Sequence, residues 1–155
     1  MYNRDDESVI AKHLVGGTPL GPAVDILLGG GIRFFLPNTT AGSSRPDNID
    51  IFALAAENGY YTFTNRTEFD NLRDGNAKHA IKPYLGLFTA DHMSYEASCI
   101  PITGMYHLVH TSSQLDRDNS KEPSLLEMTK TAIRSLERAT QDSNNGFFLV
   151  GVFIS

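Results

Sequence analysis

The sequence predicts an α/β fold, a partial three-layer α/β/α sandwich with a mostly parallel sheet. The clearest evidence is the stretch Glu122–Val150, where a helical pattern of apolar residues is followed by a continuous apolar run. Shorter helical and strand-like segments alternate along the rest of the chain, as is typical of parallel sheets whose strands are joined by helices. With 155 residues the chain is long enough for one domain with its own core.

The helix within this stretch has a clear start. Ser124-Leu125-Leu126-Glu127 fits the S-x-x-E capping box, in which both side chains bind backbone N–H groups of the first turn. Apolar residues then recur every three or four positions, which predicts one buried stripe: Leu125, Met128, Ala132, Ile133, Leu136 and Ala139. Asn144-Asn145-Gly146 is predicted to end the helix, because Asn and Gly tolerate the left-handed conformation found there.

The apolar run after the helix is predicted to be a central strand, Gly146–Ile154. Its neighbouring strands are expected to lie outside these 155 residues. Five phenylalanines are therefore expected to be less covered than a native core requires: Phe34, Phe35, Phe147, Phe148 and Phe153. Exposed apolar patches and marginal stability are the predicted consequences.

Further elements are predicted earlier in the chain. The predicted strands are Val24–Leu28, Tyr60–Thr64 and Tyr84–Phe88. The predicted helical segments are the end of a helix at Val9–Val15, a short helix at Ile49–Asn58 and a helical turn at Thr67–Leu72. Asp47 or Asn48 is expected to cap the helix at Ile49–Asn58. Ligands of parallel sheets gather beyond the carboxyl ends of the strands. The loop at Gly29 and the loop Thr89–Glu96 are therefore the places to look for a site.

Gly29-Gly30-Gly31 invites comparison with a phosphate-binding loop. Its spacing fits neither G-x-G-x-x-G nor G-x-x-x-x-G-K-[ST], and Ile32–Pro37 does not open a helix. We interpret the glycines as a sharp backbone bend at the end of a strand.

Composition and isolated motifs exclude several function classes. A net charge of −5 argues against nucleic-acid binding, which usually requires a basic patch. The single cysteine, Cys99, excludes an internal disulfide, and Cys99 with His107 and His110 lacks the fourth ligand of a structural zinc site. Asp91-His92 looks like a metal-binding dipeptide but is interpreted as a solvated loop.

The sequence contains no secretory signal and no apolar stretch of the roughly 18 residues that a membrane span needs. Asn38-Thr39-Thr40 and Asn65-Arg66-Thr67 fit the N-glycosylation pattern. Such triplets often arise by chance, so Asn38 and Asn65 are candidate glycosylation sites only in a secretory context.

Several segments, in order, resemble the alkaline phosphatases of the eukaryotic, particularly fungal, type. They are Val24–Gly31, Asn65–Glu68, Leu85–Phe88, His92–Glu96, Asp116–Asp118, Glu122–Leu125 with Glu127–Thr129, and Gly146–Val150. No single segment is specific, whereas the ordered set is. The resemblance covers most of the chain outside Ala97–Gln114.

The resemblance implies a three-layer enzyme that hydrolyses phosphate monoesters through a phosphoserine intermediate, with two zinc ions and one magnesium ion. It also implies a homodimer in the secretory pathway, vacuole or extracellular space, with any membrane anchor outside this chain. The family's nucleophilic serine and its zinc and magnesium ligands match no residue here, so no catalytic, cofactor-binding or metal-binding residue is assigned. A calcium site of animal relatives would fall near Phe88, Thr89 and Glu122, but Thr89 replaces a carboxylate.

The chain is therefore expected to be a single partial alkaline-phosphatase-like domain, residues 1–155, that is inactive alone. In the family, the position of Glu96 leads almost directly to that of Leu115, so residues 97–114 are expected to be an insertion or a translated intron. The abrupt ending at residues 151–155 suggests a second translated intron. The alternative is a non-catalytic α/β binding module or a pseudoenzyme.

Overall fold

A computed structural model describes residues 6–75, 83–94, 118–142, 144 and 146–152. Within these ranges the chain forms four α-helices and three strands, in the order α1 (Glu7–Leu14), β1 (Ile26–Gly29), α2 (Ile51–Glu57), β2 (Tyr61–Phe63), α3 (Arg66–Arg73), β3 (Tyr84–Leu87) and α4 (Leu125–Thr140). A short 3-10 helix, Ile32–Phe34, follows β1.

The three strands form a parallel sheet in the order β1-β3-β2. Ile26 of β1 and Tyr61 of β2 both lie opposite Tyr84, so β3 occupies the centre of the described sheet. All four residues of β3 are buried, as the central strand of a parallel sheet should be. The predicted α/β class with a parallel sheet is confirmed.

Strand β3 divides the core into two clusters, because successive side chains of a strand point to opposite faces. Leu85 and Leu87 pack with Ala11 of α1, with Val15 directly after that helix, and with Ile51 and Ala55 of α2. Phe35 and Tyr60 complete this cluster. Tyr84 and Phe88 pack with Phe69 and Leu72 of α3, Met128 of α4 and Phe63. Helices therefore cover both faces, in the layered arrangement that the sequence predicts.

Gly86 allows side chains of the two strands beside β3 to pack directly against its backbone. A Cβ atom at this position would lie 2.5 Å from the ring of Phe63 and 2.8 Å from the side chain of Leu28. Both neighbours belong to the cluster on the α3–α4 face. A glycine is required here because the packing space of a side chain is already filled.

Helix starts follow side-chain capping, with one correction. The predicted capping box of Ser124 and Glu127 is present in α4. The prediction of Asp47 or Asn48 as the cap of α2 is wrong: Asp50 caps it, accepting a hydrogen bond of 3.0 Å from the Ala53 N–H. Asp47 is instead held by the buried guanidinium of Arg45, with two hydrogen bonds of 2.8 Å.

The segment predicted as a turn at Thr67–Leu72 is a full helix, α3. Asn65 caps it by accepting a hydrogen bond of 2.9 Å from the Glu68 N–H, so the helix begins at Arg66. Phe69 and Leu72 anchor it to the core, which explains why the short segment is helical despite its many charged residues.

The predicted end of α4 at Asn144–Gly146 is wrong, since the helix ends at Thr140. Its last turn is held by little packing: Ala139, predicted to be buried, is exposed together with Glu137 and Arg138. The helix buries Met128, Thr131, Ala132 and Ser135. Counting apolar residues alone therefore misplaced part of the buried face, because small polar residues share it.

The predicted strand Gly146–Ile154 is also not observed in its described part. Residues 146–152 pair with none of the three strands, and 88% of Phe148 and 71% of Val152 are exposed. A strand forms only where a neighbour binds its backbone groups, so an apolar pattern is not sufficient. The expected exposure is confirmed for Phe147 and Phe148 but is wrong for Phe35, which is buried; Phe34 is partly buried against the core, and Phe153 lies outside the described residues.

Candidate functional site at the carboxyl edge of the sheet

Two loops meet at the carboxyl edge of the sheet, as the parallel topology requires. The first follows β1 and comprises residues 30–33; the second follows β3 and comprises residues 89–94. The Phe88 N–H donates a hydrogen bond of 2.9 Å to the Gly29 carbonyl, which fixes the start of both loops. This is the edge at which ligands of parallel α/β proteins gather.

The glycine loop binds the second loop through its backbone. The N–H groups of Gly31, Ile32 and Arg33 donate to the carbonyls of Asp91 (2.7 Å), Thr89 (3.1 Å) and Ala90 (3.2 Å). A phosphate-binding loop would instead direct such N–H groups at an anion. The prediction that Ile32–Pro37 does not open a helix is corrected in one detail. A 3-10 helix of three residues, Ile32–Phe34, follows the glycines.

The glycines themselves have a structural purpose. Gly31 has a φ of 86°, in the left-handed region that favours glycine. A Cβ atom on Gly30 would clash with the Asp91 carbonyl oxygen and the Thr89 hydroxyl. The interpretation of the triple glycine as a sharp bend is confirmed by this geometry.

Asp91 is paired with a cation of the first loop. Its carboxylate lies 2.8 Å from Nη1 of Arg33, whose guanidinium also lies 4.8 Å from the centre of the Phe34 ring. The neighbouring His92 is 76% exposed and lies 3.5 Å from the Asp91 carboxylate. The interpretation of Asp91-His92 as a solvated loop agrees with this exposure. Sequence analysis missed Arg33, although opposite charges after two adjacent parallel strands could have indicated the pair.

Glu122 connects the second loop to the start of α4. Its two carboxylate oxygens accept hydrogen bonds from the Ser94 N–H (3.0 Å) and the Ser94 hydroxyl (3.2 Å). Thr89 donates its hydroxyl to the Asp91 carbonyl at 2.9 Å. The edge is thus closed by contacts among its own residues.

The described donors do not fit the zinc and magnesium ions that the resemblance to alkaline phosphatases implies. Zinc prefers nitrogen and sulfur ligands, and magnesium prefers carboxylates with free oxygens. Here the Asp91 carboxylate is bound to Arg33 and the Glu122 carboxylate to Ser94. In the described ranges, no three His, Cys, Asp or Glu residues are grouped so that they could hold a metal ion.

A second charged cluster joins α3 to α4. Glu127 accepts from the guanidinium of Arg66 through both oxygens and lies 3.4 Å from Nη1 of Arg73, while Arg66 also binds Asp70 at 2.9 Å. The Arg66 hydrogen bonds, followed by those from Ser124, lower the pKa of Glu127 to about 2. These contacts stabilise the packing of the two helices, and Arg66 also donates to the Glu122 carbonyl at 3.4 Å, which joins the cluster to the carboxyl edge.

The candidate glycosylation residues are both exposed. The Asn38 amide donates to the Pro46 carbonyl at 3.2 Å, within a surface loop. The Asn65 amide donates to the Glu68 carboxylate at 2.7 Å while its oxygen caps α3. Capping requires only the oxygen of Asn65, so a glycan on its nitrogen is compatible with the cap.

Other predicted features cannot be compared with the structure. Cys99, His107, His110 and the whole segment 97–114 lie outside the described residues. Among the helices that are described, none combines the length and the apolar character needed to cross a membrane.

Comparison with known proteins identifies the family. The alkaline phosphatase family profile matches residues 3–152. The alkaline phosphatase of Schizosaccharomyces pombe is 37% identical over 150 residues, covering 96% of this chain and 24% of that protein. The repressible alkaline phosphatase of Saccharomyces cerevisiae is 33% identical over 155 residues, covering 95% of this chain and 24% of that protein.

A solved structure supports the same fold. The crystal structure of Thermus thermophilus alkaline phosphatase aligns with a TM-score of 0.58 and 24% identity, over 89% of this chain and 22% of that chain. This chain thus spans about a quarter of the length of the curated relatives. The profile match and the two fungal relatives together show that the chain belongs to the alkaline phosphatase family.

Proposed function

We propose that the chain is a segment of a metal-dependent phosphomonoester hydrolase, an alkaline phosphatase that acts through a phosphoserine intermediate with zinc and magnesium. The observation that carries this proposal is the family match across residues 3–152. The substrates would be phosphate monoesters, and the whole protein would act as a homodimer in the secretory pathway, vacuole or extracellular space.

The contribution of this segment would be structural. Strand β3 and the two helical layers hold the loops at the carboxyl edge, and the acidic side chains there are bound to Arg33 and Ser94. A carboxylate held by such donors is poorly placed to bind a metal or to transfer a proton. The isolated chain is accordingly proposed to be inactive.

Hydrolysis of p-nitrophenyl phosphate tests this proposal. The purified 155-residue chain is assayed with zinc and magnesium, with and without a chelator, beside the Schizosaccharomyces pombe alkaline phosphatase as the positive control. We expect no hydrolysis above the rate without protein. Hydrolysis that the chelator abolishes, and that a D91N variant or an E122Q variant reduces, would overturn the proposed inactivity and place the chemistry at the carboxyl edge.

Residues 97–114 are proposed to be an insertion relative to the family or a translated intron. Sequencing the mature transcript across codons 96–115 and beyond codon 150 separates these origins. A message without codons 97–114 identifies an intron, and one that contains them identifies a true insertion. A message that also ends as the chain does would favour the alternative function, a non-catalytic α/β binding module or a pseudoenzyme.

Glycosylation at Asn38 and Asn65 provides a test of the proposed location. The protein is expressed in its native host, and its electrophoretic mobility is compared before and after endoglycosidase treatment. The N38Q and N65Q variants are the matched controls. A shift that either variant reduces supports passage through the secretory pathway. An unchanged mobility in the wild type contradicts the use of both sites.

A further inference from the structure

Two hydroxyl groups are buried without a hydrogen bond of good geometry where α4 packs on β3. The Tyr84 hydroxyl and the Thr131 hydroxyl make no hydrogen bond within the part of the chain that the structure describes. Their residues are only 1% and 2% exposed. Buried polar groups are almost always hydrogen-bonded, because leaving one unpaired costs about 1–3 kcal/mol. These two groups therefore require an explanation.

Both groups face the same contact between helix and sheet. Thr131 lies one helical turn from Ser135 and three residues from Met128, so all three share one face of α4. Met128 packs in the same cluster as Tyr84. The Ser135 side chain opposes the rise in the pKa of Tyr84 and therefore lies beside the phenol, but the two hydroxyls do not have hydrogen-bond geometry. The buried face thus brings three hydroxyl groups together within an otherwise apolar layer.

The Thr131 hydroxyl does not use the common alternative available inside a helix. Thr140, nine residues later in α4, donates its hydroxyl to the Leu136 carbonyl at 2.9 Å, four residues back. Thr131 makes no such bond, although it is more deeply buried. Its hydroxyl is therefore available to a group in the contact with β3.

We propose that an internal water molecule binds between α4 and β3, hydrogen-bonded to the hydroxyls of Tyr84, Thr131 and Ser135. A buried water typically makes two to four hydrogen bonds, and each hydroxyl can donate one and accept others. Burial raises the pKa of Tyr84 to about 12, with Ser135 opposing the rise, so the phenol is neutral at physiological pH. An uncharged site of three hydroxyls favours water over an ion.

A double-mutant cycle on the 155-residue chain tests the proposal. Tyr84→Phe and Thr131→Val each remove one hydroxyl and keep nearly the same shape. If a shared water links them, each single substitution should lower the folding equilibrium constant about fivefold. The double variant should be as stable as the less stable of the two single variants, because the first substitution already removes the water bridge.

If the two hydroxyls are unpaired, the substitutions should change the stability in the opposite direction. If no water is bound, each substitution removes an unpaired polar group, so both variants should become more stable and their effects should add. That result would overturn the proposal. Thr140→Val is the matched control, because it removes a hydroxyl of the same helix that already has a partner; its effect should add to that of Tyr84→Phe.

Direct detection keeps the proposal testable if a variant fails to fold. Magnetisation transfer between water and protein protons is measured by NMR on the wild-type chain. We expect a long-lived water signal at the Tyr84 and Thr131 protons. Its absence there, with exchange-mediated signals seen only at exposed hydroxyls, would contradict the proposal.

Discussion

Helix α4 and residues 146–152 are neighbours in sequence but differ sharply in structure. The helix forms with its capping box in place and buries Met128 and Ala132. The following segment has the stronger apolar pattern, yet it forms no strand, and 88% of Phe148 is exposed.

The difference follows from where each element finds its hydrogen bonds. A helix satisfies its backbone within itself, apart from the ends that Ser124 and Glu127 cap here. A strand must take its partners from neighbouring strands. Apolar sequence therefore specifies α4 locally, whereas residues 146–152 depend on neighbours that the described sheet does not supply.

The largest expected effect distinguishes covered from uncovered aromatic residues. Phe69→Ala should lower the free energy of unfolding by about 3–5 kcal/mol, because the side chain is fully buried between α3 and the sheet. Phe148→Ala should change it by less than about 0.5 kcal/mol. Chemical denaturation measures both. A similar cost for the two variants would mean that residues 146–152 are packed in solution.

A smaller effect is expected at the centre of the sheet. Gly86→Ala should cost about 1–3 kcal/mol, because the added methyl group would meet the Phe63 ring and Leu28. Gly29→Ala is the control, since nothing lies within 4 Å of its added Cβ atom. Equal stability of the two variants in thermal denaturation would contradict the tight contact around β3.

The charge of Glu127 should contribute about 1–2 kcal/mol to the free energy of unfolding, because Arg66 binds this carboxylate between α3 and α4. Its pKa is lowered from 4.5 to about 2. The stabilisation is therefore complete above pH 4.5 and is lost as the pH falls toward 2. Glu127→Gln keeps a capping side chain but removes the charge, so it should weaken the fold at pH 7 and flatten this part of the stability profile.

The exposed Glu137 of the same helix supplies the control for that profile. Glu137→Gln should leave the unfolding free energy and its acid dependence close to those of the wild type. If both variants flatten the profile equally, the ionic contact of Glu127 with Arg66 is not the cause.

The smallest effect concerns the start of α4. Ser124→Ala should cost about 1 kcal/mol, because it removes the hydroxyl that accepts from the Glu127 N–H at 3.1 Å. Ser124→Asp retains an acceptor and should restore most of the loss. Helical circular dichroism during urea unfolding measures both, and an alanine variant as stable as the aspartate variant would contradict the capping role.

Local patterns predicted much of this fold. The capping box of Ser124 and the apolar strand Tyr84–Leu87 are encoded by residues close in sequence. The cap of α2 could not be predicted in this way. Arg45 binds the Asp47 carboxylate, which is therefore not available as a cap, and the position of Arg45 depends on a hydrogen bond to the Ser8 carbonyl, 37 residues away.

The candidate site was less predictable for the same reason. The parallel topology correctly predicted that the loops after β1 and β3 meet at one edge, and the glycines correctly predicted a backbone bend there. The pair of Glu122 with Ser94, 28 residues apart, and the pair of Arg33 with Asp91 depend on how the loops meet. Such contacts leave no periodic signal in the sequence.

Amide hydrogen exchange tests most directly the claim that a covered sheet and an uncovered apolar segment coexist in this chain. The account predicts strong protection at Leu85 and Leu87 in β3 and exchange near the unfolded-peptide rate at residues 148–150. Protection of residues 148–150 equal to that of β3 would contradict it, because that result requires the segment to be paired as a strand.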